Sequence, residues 1–110
     1  GSIINMADIH GQRTLKRHTV YSAAKAGLIM MTLSLARELG PEVRVNAIAP
    51  GPVLWPEAGL PTALKDEIVA KTALKRAGTP DDIAQMALFL AAAAPYVTGQ
   101  VIAVDGGRSI

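Results

Sequence analysis

The feature that most constrains the fold is a long helical segment between two short runs of β-branched residues. Residues 19–39, TVYSAAKAGLIMMTLSLAREL, are rich in Ala, Leu and Met and stop at Gly40-Pro41, a pair that ends helices. The flanking segments, SIINM at 2–6 and VRVNAIA at 43–49, are typical of buried strands. Strand, helix and strand in that order form a right-handed crossover between parallel strands. The sequence therefore predicts an α/β fold.

The rest of the chain continues the same alternation. The predicted elements are a polar loop at 7–18, a Pro-rich loop at 50–61, a short helix at 62–74, a helix at 78–94 and a strand at 99–107. The start of the helix near Thr79 is sharply marked, because an N-cap residue precedes Pro80 and two aspartates. This order is typical of the C-terminal half of a doubly wound parallel-sheet fold, in which ligands bind beyond the carboxyl ends of the strands.

Composition excludes several classes of function. Net charge is +2 without a basic stripe, which argues against nucleic-acid binding, and the longest apolar stretch at 83–97 is interrupted and too short to span a membrane. The absence of cysteine excludes disulfides and suits the cytoplasm. His10 and His18 are expected to be solvated, without a third ligand spaced for a metal. The chain begins with Gly rather than Met, so we expect a part of a longer protein.

Asp8, Tyr21 and Lys25 form the candidate catalytic group. Tyr21 and Lys25 are four apart on the predicted helix and so share one face. A neighbouring ammonium and the helix N-terminus would both lower the phenol pKa toward the range needed for acid–base catalysis. Ordinary structural roles remain open for each: a surface pair for Tyr21 and Lys25, a turn for Asp8 and for Pro50-Gly51, and a brace between strand and loop for Asn46.

Three segments together resemble the short-chain dehydrogenase/reductase family: YSAAK, RVNAIAPG and VTGQVIAVDGG. The resemblance covers essentially the whole chain and implies a Rossmann-type fold, of which residues 1–110 are the C-terminal part of a single domain. It implies that Tyr21 donates a proton and that Lys25 lowers its pKa and binds the nicotinamide ribose. Cofactor contacts are implied for Tyr21, Lys25, Pro50, Gly51 and Val53. The family's glycine-rich phosphate loop and the residue that selects NAD or NADP lie upstream of this segment.

Asp8 departs from the serine that most of the family carries at this position. An acid there resembles the pteridine reductases and dihydromonapterin reductases, because a carboxylate accepts hydrogen bonds from the N–H groups of a pterin. The resemblance implies NADPH-dependent reduction of a dihydropterin, with Asp8, Tyr21, Leu54 and Trp55 contacting substrate. The alternatives are reduction of a 3-oxoacyl thioester, sugar or steroid, and a non-catalytic oligomerisation fragment. A homotetramer through the 19–39 helix and the C-terminal strand is also implied.

Overall fold

A three-stranded parallel sheet carries the other elements. The computed structural model describes residues 1–13, 15–53 and 61–110. Within these, strands β1 (Ser2–Met6), β2 (Arg44–Pro50) and β3 (Val101–Val104) lie in the order β1-β2-β3, and both pairings are parallel. The predicted α/β fold with parallel strands is confirmed.

The helices follow the predicted order, with small changes at their ends. They are α1 (Thr19–Leu39), α2 (Thr62–Lys71) and α3 (Pro80–Ala92). Helix α1 has the predicted bounds, and α3 starts after Thr79, whose side chain and that of Asp82 form a capping box. Helix α2 ends before the predicted Leu74, because the Thr72 hydroxyl donates to the Val69 carbonyl and accepts from the Arg76 amide.

The carboxyl ends of all three strands meet at one edge of the sheet. Met6 is paired with Ile48, and Pro50 with Val104, so the segments that follow β1, β2 and β3 emerge side by side. Asp8 and Gly51 therefore lie at the same edge, as predicted, and Asp105 joins them. A ligand at this edge would contact residues that are far apart in the chain.

Strand β2 is the centre of the core. Its residues 45–49 are fully buried, and Ile48 packs with Leu90 and Ala94, which lie in and just after α3. The buried Asn46 side chain donates to the Val97 carbonyl at 2.9 Å and accepts from the Gln100 amide at 3.0 Å. Asn46 therefore braces β2 against the segment before β3, and not against the loop that follows β2.

Helix α1 is less buried than its sequence suggests. Apolar residues surround most of this helix, a pattern that predicts burial on more than one side. Within the described chain, however, α1 packs on β2 and on the turn after β1, and only Thr32 and Ala36 are buried. The exposed apolar side chains of α1 include Val20, Met30 and Met31. By length and composition alone, α1 is also long and apolar enough to cross a membrane. The core helices of soluble proteins can have the same length and composition.

Candidate active site

Asp8 uses both carboxylate oxygens. It follows β1 in an extended conformation and caps a 3-10 turn at Ile9–Gly11, where Oδ1 accepts from the His10 amide at 2.8 Å. Oδ2 accepts from the Tyr21 hydroxyl, also at 2.8 Å. Asp8 is thus the turn residue and the tyrosine's partner at once. Its first role fixes the position of the carboxylate that serves the second.

Tyr21 and Lys25 lie together on α1, as the four-residue spacing predicts. Tyr21 is in the first turn of α1, and the Lys25 ammonium lies 5.8 Å from the centroid of its ring. The ammonium donates to the Met6 carbonyl over a long 3.3 Å, which ties α1 to the end of β1. The His18 ring meets the Tyr21 ring edge to face at 6.3 Å. The structure therefore brings the predicted trio together at one place.

The direction of the Tyr21 pKa shift corrects the sequence prediction. We expected Lys25 to lower this pKa. Burial raises it instead, and the hydrogen bond to Asp8 and the Asp8 negative charge raise it further. The carboxylate disfavours a phenolate beside it, and the tyrosine keeps its proton at neutral pH. That state is the one a proton donor needs.

A cavity of about 260 Å³ adjoins Asp8 at the carboxyl edge of the sheet. Pro50 and Gly51 line it together with Asp8, as predicted for the ligand-binding loop. Tyr21 and Lys25 are not among its lining residues. They are connected to the cavity through Asp8, which accepts a hydrogen bond from the Tyr21 hydroxyl. Val53 forms an isolated bridge with Gly78 and does not line this cavity. Leu54 and Trp55, predicted to contact substrate, lie outside the described residues.

Gly51 has a packing reason to be glycine. A Cβ at this position would lie 2.5 Å from the Asp105 Cβ and 2.8 Å from its Cα, closer than side chains approach each other. The ends of β2 and β3 therefore touch at Gly51. This contact brings the C-terminal turn, residues 105–110, against the cavity.

Several residues at the cavity were missed by the sequence analysis. His10, predicted to be solvated, lines it and has a buried Nδ1 atom with no hydrogen-bond partner among the described residues. Glu67 and Lys71 of α2 and Arg108 of the C-terminal turn also line it. The one available signal was position: a segment that follows a parallel strand emerges at the same edge as Asp8. Nothing in the sequence pattern placed α2 there.

The described residues suit one end of a nicotinamide dinucleotide. The Lys25 ammonium donates one long hydrogen bond to the Met6 carbonyl, so its other N–H donors remain for the hydroxyl groups of a ribose. The cavity lined by Pro50 and Gly51 adjoins the same place. Among residues 1–13, 15–53 and 61–110, no group of three or more His, Cys, Asp or Glu side chains could hold a metal ion.

Comparisons with known proteins agree on one family. A model of the family described as enoyl-(acyl carrier protein) reductase matches residues 1–109. A 3-oxoacyl-(acyl-carrier-protein) reductase of Chlamydia muridarum is 46% identical over 112 residues, which cover 99% of this chain and 45% of that protein. A 7alpha-hydroxysteroid dehydrogenase of Bacteroides fragilis is 40% identical, with 100% and 44% covered. The chain therefore spans about half the length of the curated relatives it matches.

Solved structures give the same result for the fold. A short-chain dehydrogenase of Leptospira borgpetersenii, crystallised with bound NAD⁺, superposes with a TM-score of 0.89 at 35% identity. The match covers 100% of this chain and 45% of that one. The parallel sheet and its crossover helices are thus those of a Rossmann-type half-domain. The names of the two relatives refer to a 3-oxoacyl-(acyl-carrier-protein) and to a 7alpha-hydroxysteroid, and neither name mentions a pterin.

Proposed function

The chain belongs to the short-chain dehydrogenase/reductase family, and from that premise we propose that it is the C-terminal part of an NADPH-dependent reductase of a carbonyl compound. Tyr21 would be the proton donor. The observation that supports this most directly is the 2.8 Å hydrogen bond from the Tyr21 hydroxyl to Asp8, beside a cavity at the carboxyl edge of the sheet. Residues 1–110 would form a single domain with a segment upstream.

The cofactor and the chain would each supply one part of the reaction. When bound, a reduced nicotinamide would supply a hydride, that is, one proton with two electrons, for the carbonyl carbon. The oxygen of that carbonyl then needs one proton to become a hydroxyl. Tyr21 supplies it by turning its O–H from Asp8 to the substrate oxygen, since the raised pKa keeps the phenol protonated until then. Lys25 stabilises the phenolate that remains, 5.8 Å from the ring centroid.

Dihydropterin is the second candidate substrate, and Asp8 is the observation that favours it. An ionised carboxylate only accepts hydrogen bonds, so Asp8 cannot donate to a ketone as the usual serine would. A pterin offers N–H donors that a carboxylate can accept. The similarity to acyl-thioester and steroid enzymes supports the carbonyl compound as the first candidate. NADPH remains part of the proposal for both substrates.

Tyrosine variants of the full-length protein test the proposal. We expect Tyr21→Phe to lower kcat for NADPH-dependent reduction by about 10²- to 10⁴-fold, the usual contribution of a general acid. Tyr96→Phe is the matched control, because Tyr96 is 99% exposed and distant in sequence from the site. Acetoacetyl thioester and dihydrobiopterin, assayed side by side by NADPH oxidation, decide between the substrate classes. Equal rates for Tyr21→Phe and wild type on both substrates would contradict the proton-donor role.

We extend the proposal to the assembly of the enzyme and to its location in the cell. The apolar side chains exposed on α1 support a homotetramer that uses α1 together with β3. The absence of cysteine is compatible with the reducing cytoplasm. We propose the homotetramer and the cytoplasmic location for the full-length protein.

A further inference from the structure

The cavity beside Asp8 carries two cations that the proposed reaction does not use. They are Lys71 on α2 and Arg108 on the C-terminal turn. Lys71 has a partner on its own helix: its ammonium lies 2.7 Å from the Glu67 carboxylate, which also lines the cavity. The charge of Lys71 is therefore already matched within α2. The question that remains is what Arg108 does.

Arg108 presents a guanidinium that has no hydrogen-bond partner in the part of the chain that the structure describes. The residue is partly buried and borders the cavity. Its carbonyl accepts a hydrogen bond from Arg13 at 2.9 Å, whereas no described residue accepts one from its guanidinium. The carboxylates at the cavity are engaged elsewhere, because Asp8 accepts from the His10 amide and Tyr21 and Glu67 accepts from Lys71. Within residues 1–13, 15–53 and 61–110, the N–H donors of the Arg108 guanidinium therefore remain available to a ligand.

The turn that carries Arg108 is rigid. Both Asp105 carboxylate oxygens are used inside it, since Oδ1 accepts from the Gly107 amide at 2.9 Å and Oδ2 from the Ser109 amide at 3.0 Å. Gly106 and Gly107 supply the positive φ values, 61° and 83°, that the turn requires. The Gly106 carbonyl accepts from the Leu74 amide at 3.0 Å. Arg108 therefore extends from a backbone held on several sides, which lowers the entropy lost when its side chain binds.

The Arg108 guanidinium itself fits an anion with two oxygens in a plane. The hydrogen bond and charge of Lys71 lower the pKa of Glu67, and Arg108 acts on it only through its more distant charge. Lys71 and Glu67 are paired with each other, and Asp8 accepts hydrogen bonds from the His10 amide and the Tyr21 hydroxyl. Among the described lining residues, Arg108 is therefore the cation whose guanidinium has no hydrogen-bonded acceptor. A guanidinium binds a carboxylate through two parallel hydrogen bonds. The cavity, about 260 Å³, is slightly smaller than the ~300–1,000 Å³ of sites for drug-sized ligands.

We propose that Arg108 binds a carboxylate of the substrate, so that this reductase prefers small oxo acids to uncharged ketones of the same size. The carboxylate would lie on Arg108 while the reducible carbonyl lies by Asp8 and Tyr21. Arg108 is then a specificity residue that takes no part in proton transfer. The inference rests on the proposed carbonyl reductase function and adds the class of substrate.

The test compares acetoacetate with its methyl ester, which differ in charge and little in shape. In the full-length protein we expect Arg108→Gln to raise KM for acetoacetate by about tenfold to hundredfold, the effect of losing a charged hydrogen bond, and to leave methyl acetoacetate within about twofold. Arg108→Lys should retain part of the preference, because an ammonium keeps the charge without the fork. Lys65→Gln is the control, because this substitution removes the same charge at an exposed position on α2 that does not line the cavity.

Binding without turnover gives a second measurement. With oxidised cofactor present no reduction occurs, and calorimetry reports the Kd of acetoacetate directly. We expect Arg108→Gln to raise this Kd by the same factor as KM. Equal losses for acetoacetate and its ester, or no change for either, would overturn the role of Arg108 while leaving the reductase intact. If the wild-type protein reduces acetoacetyl thioester but neither acetoacetate nor its ester, the oxo-acid inference fails while the reductase stands. If it reduces none of the three with NADPH or NADH, the proposed carbonyl reductase function fails as well.

Discussion

At the scale of single residues, Asp8 determines the chemical state of the site. A lysine near a tyrosine at a helix N-terminus would by itself favour the phenolate. The structure adds burial of the ring and a carboxylate that accepts a hydrogen bond from the hydroxyl at 2.8 Å, and both raise the pKa of Tyr21. The ordinary pKa of tyrosine is 10.0, so the proton stays on Tyr21 beyond that pH. Reduction, which consumes this proton, is favoured over a wide pH range.

The raised pKa of Tyr21 predicts the pH dependence of an Asp8→Asn variant. Reduction requires protonated Tyr21, so kcat/KM falls as pH rises through the tyrosine pKa, which Asp8 holds above its usual value. The neutral amide removes the negative charge beside the phenolate, and we expect the alkaline limb of the kcat/KM profile to move to lower pH. Burial still raises the pKa in the variant, so the shift is partial. An alkaline limb that stays in place or moves upward would contradict the account.

At the scale of elements, helix α3 is stabilised at both ends by side chains. Thr79 and Asp82 form the capping box at its N-terminus, and Asp82 is also paired with Arg76. At its C-terminus, Arg44 of β2 donates to the carbonyls of Leu90, Ala91 and Ala94 at 2.7–3.1 Å. The Leu90 and Ala91 carbonyls have no partner within the helix, whereas the Ala94 carbonyl, just after α3, also accepts from the Val97 amide at 3.2 Å. Arg44 thereby connects the helix to the central strand of the sheet.

Removing that connection should destabilise the fold. Arg44→Met keeps the aliphatic stem but leaves the carbonyls at the end of α3 without their donor. We expect the free energy of unfolding of the full-length protein to fall by about 2 kcal/mol, as measured by urea denaturation. Arg37→Met is the matched control, since Arg37 is exposed on α1, and should change stability by less than about 0.5 kcal/mol. Equal effects of the two substitutions would show that the Arg44 hydrogen bonds add little.

For the molecule as a whole, the exposed apolar side chains of α1 form a surface that the described residues leave uncovered. Met30 is 63% exposed, and Val20 and Met31 are also largely exposed on this helix. Leaving such side chains in water forgoes about 25 cal/mol for each Å² of apolar surface that an interface would bury. The proposed tetramer would cover this face with a second copy of α1.

A charged substitution on this face tests the assembly. We expect Met30→Glu in the full-length protein to produce a smaller particle in sedimentation velocity, because a carboxylate in an apolar interface is costly to desolvate. Leu74→Glu is the control, since Leu74 is 68% exposed and lies outside α1 and β3. If Met30→Glu leaves the sedimentation coefficient unchanged, α1 is not part of the interface.

The helices and strands and the grouping of Asp8, Tyr21 and Lys25 could be predicted from the sequence. β-branched runs, the Gly40-Pro41 stop and the Thr79 cap are local signals, so β1 and α1 have the predicted bounds. A four-residue spacing on a helix and a shared strand edge then place three side chains together. These predictions needed only helix and strand periodicity and the rule that parallel strands end at one edge.

The protonation of Tyr21 and the charges that face the cavity could be known only from the tertiary structure, because they depend on contacts between distant parts of the chain. Arg13 and Arg108 are 95 residues apart, yet the hydrogen bond between them helps hold the C-terminal turn at the cavity. The sign of the Tyr21 pKa shift depends on how deeply the ring is buried and on which charge lies nearer, and no local pattern records either. The sequence therefore indicates where the site is, whereas packing determines its protonation and which charges face the substrate.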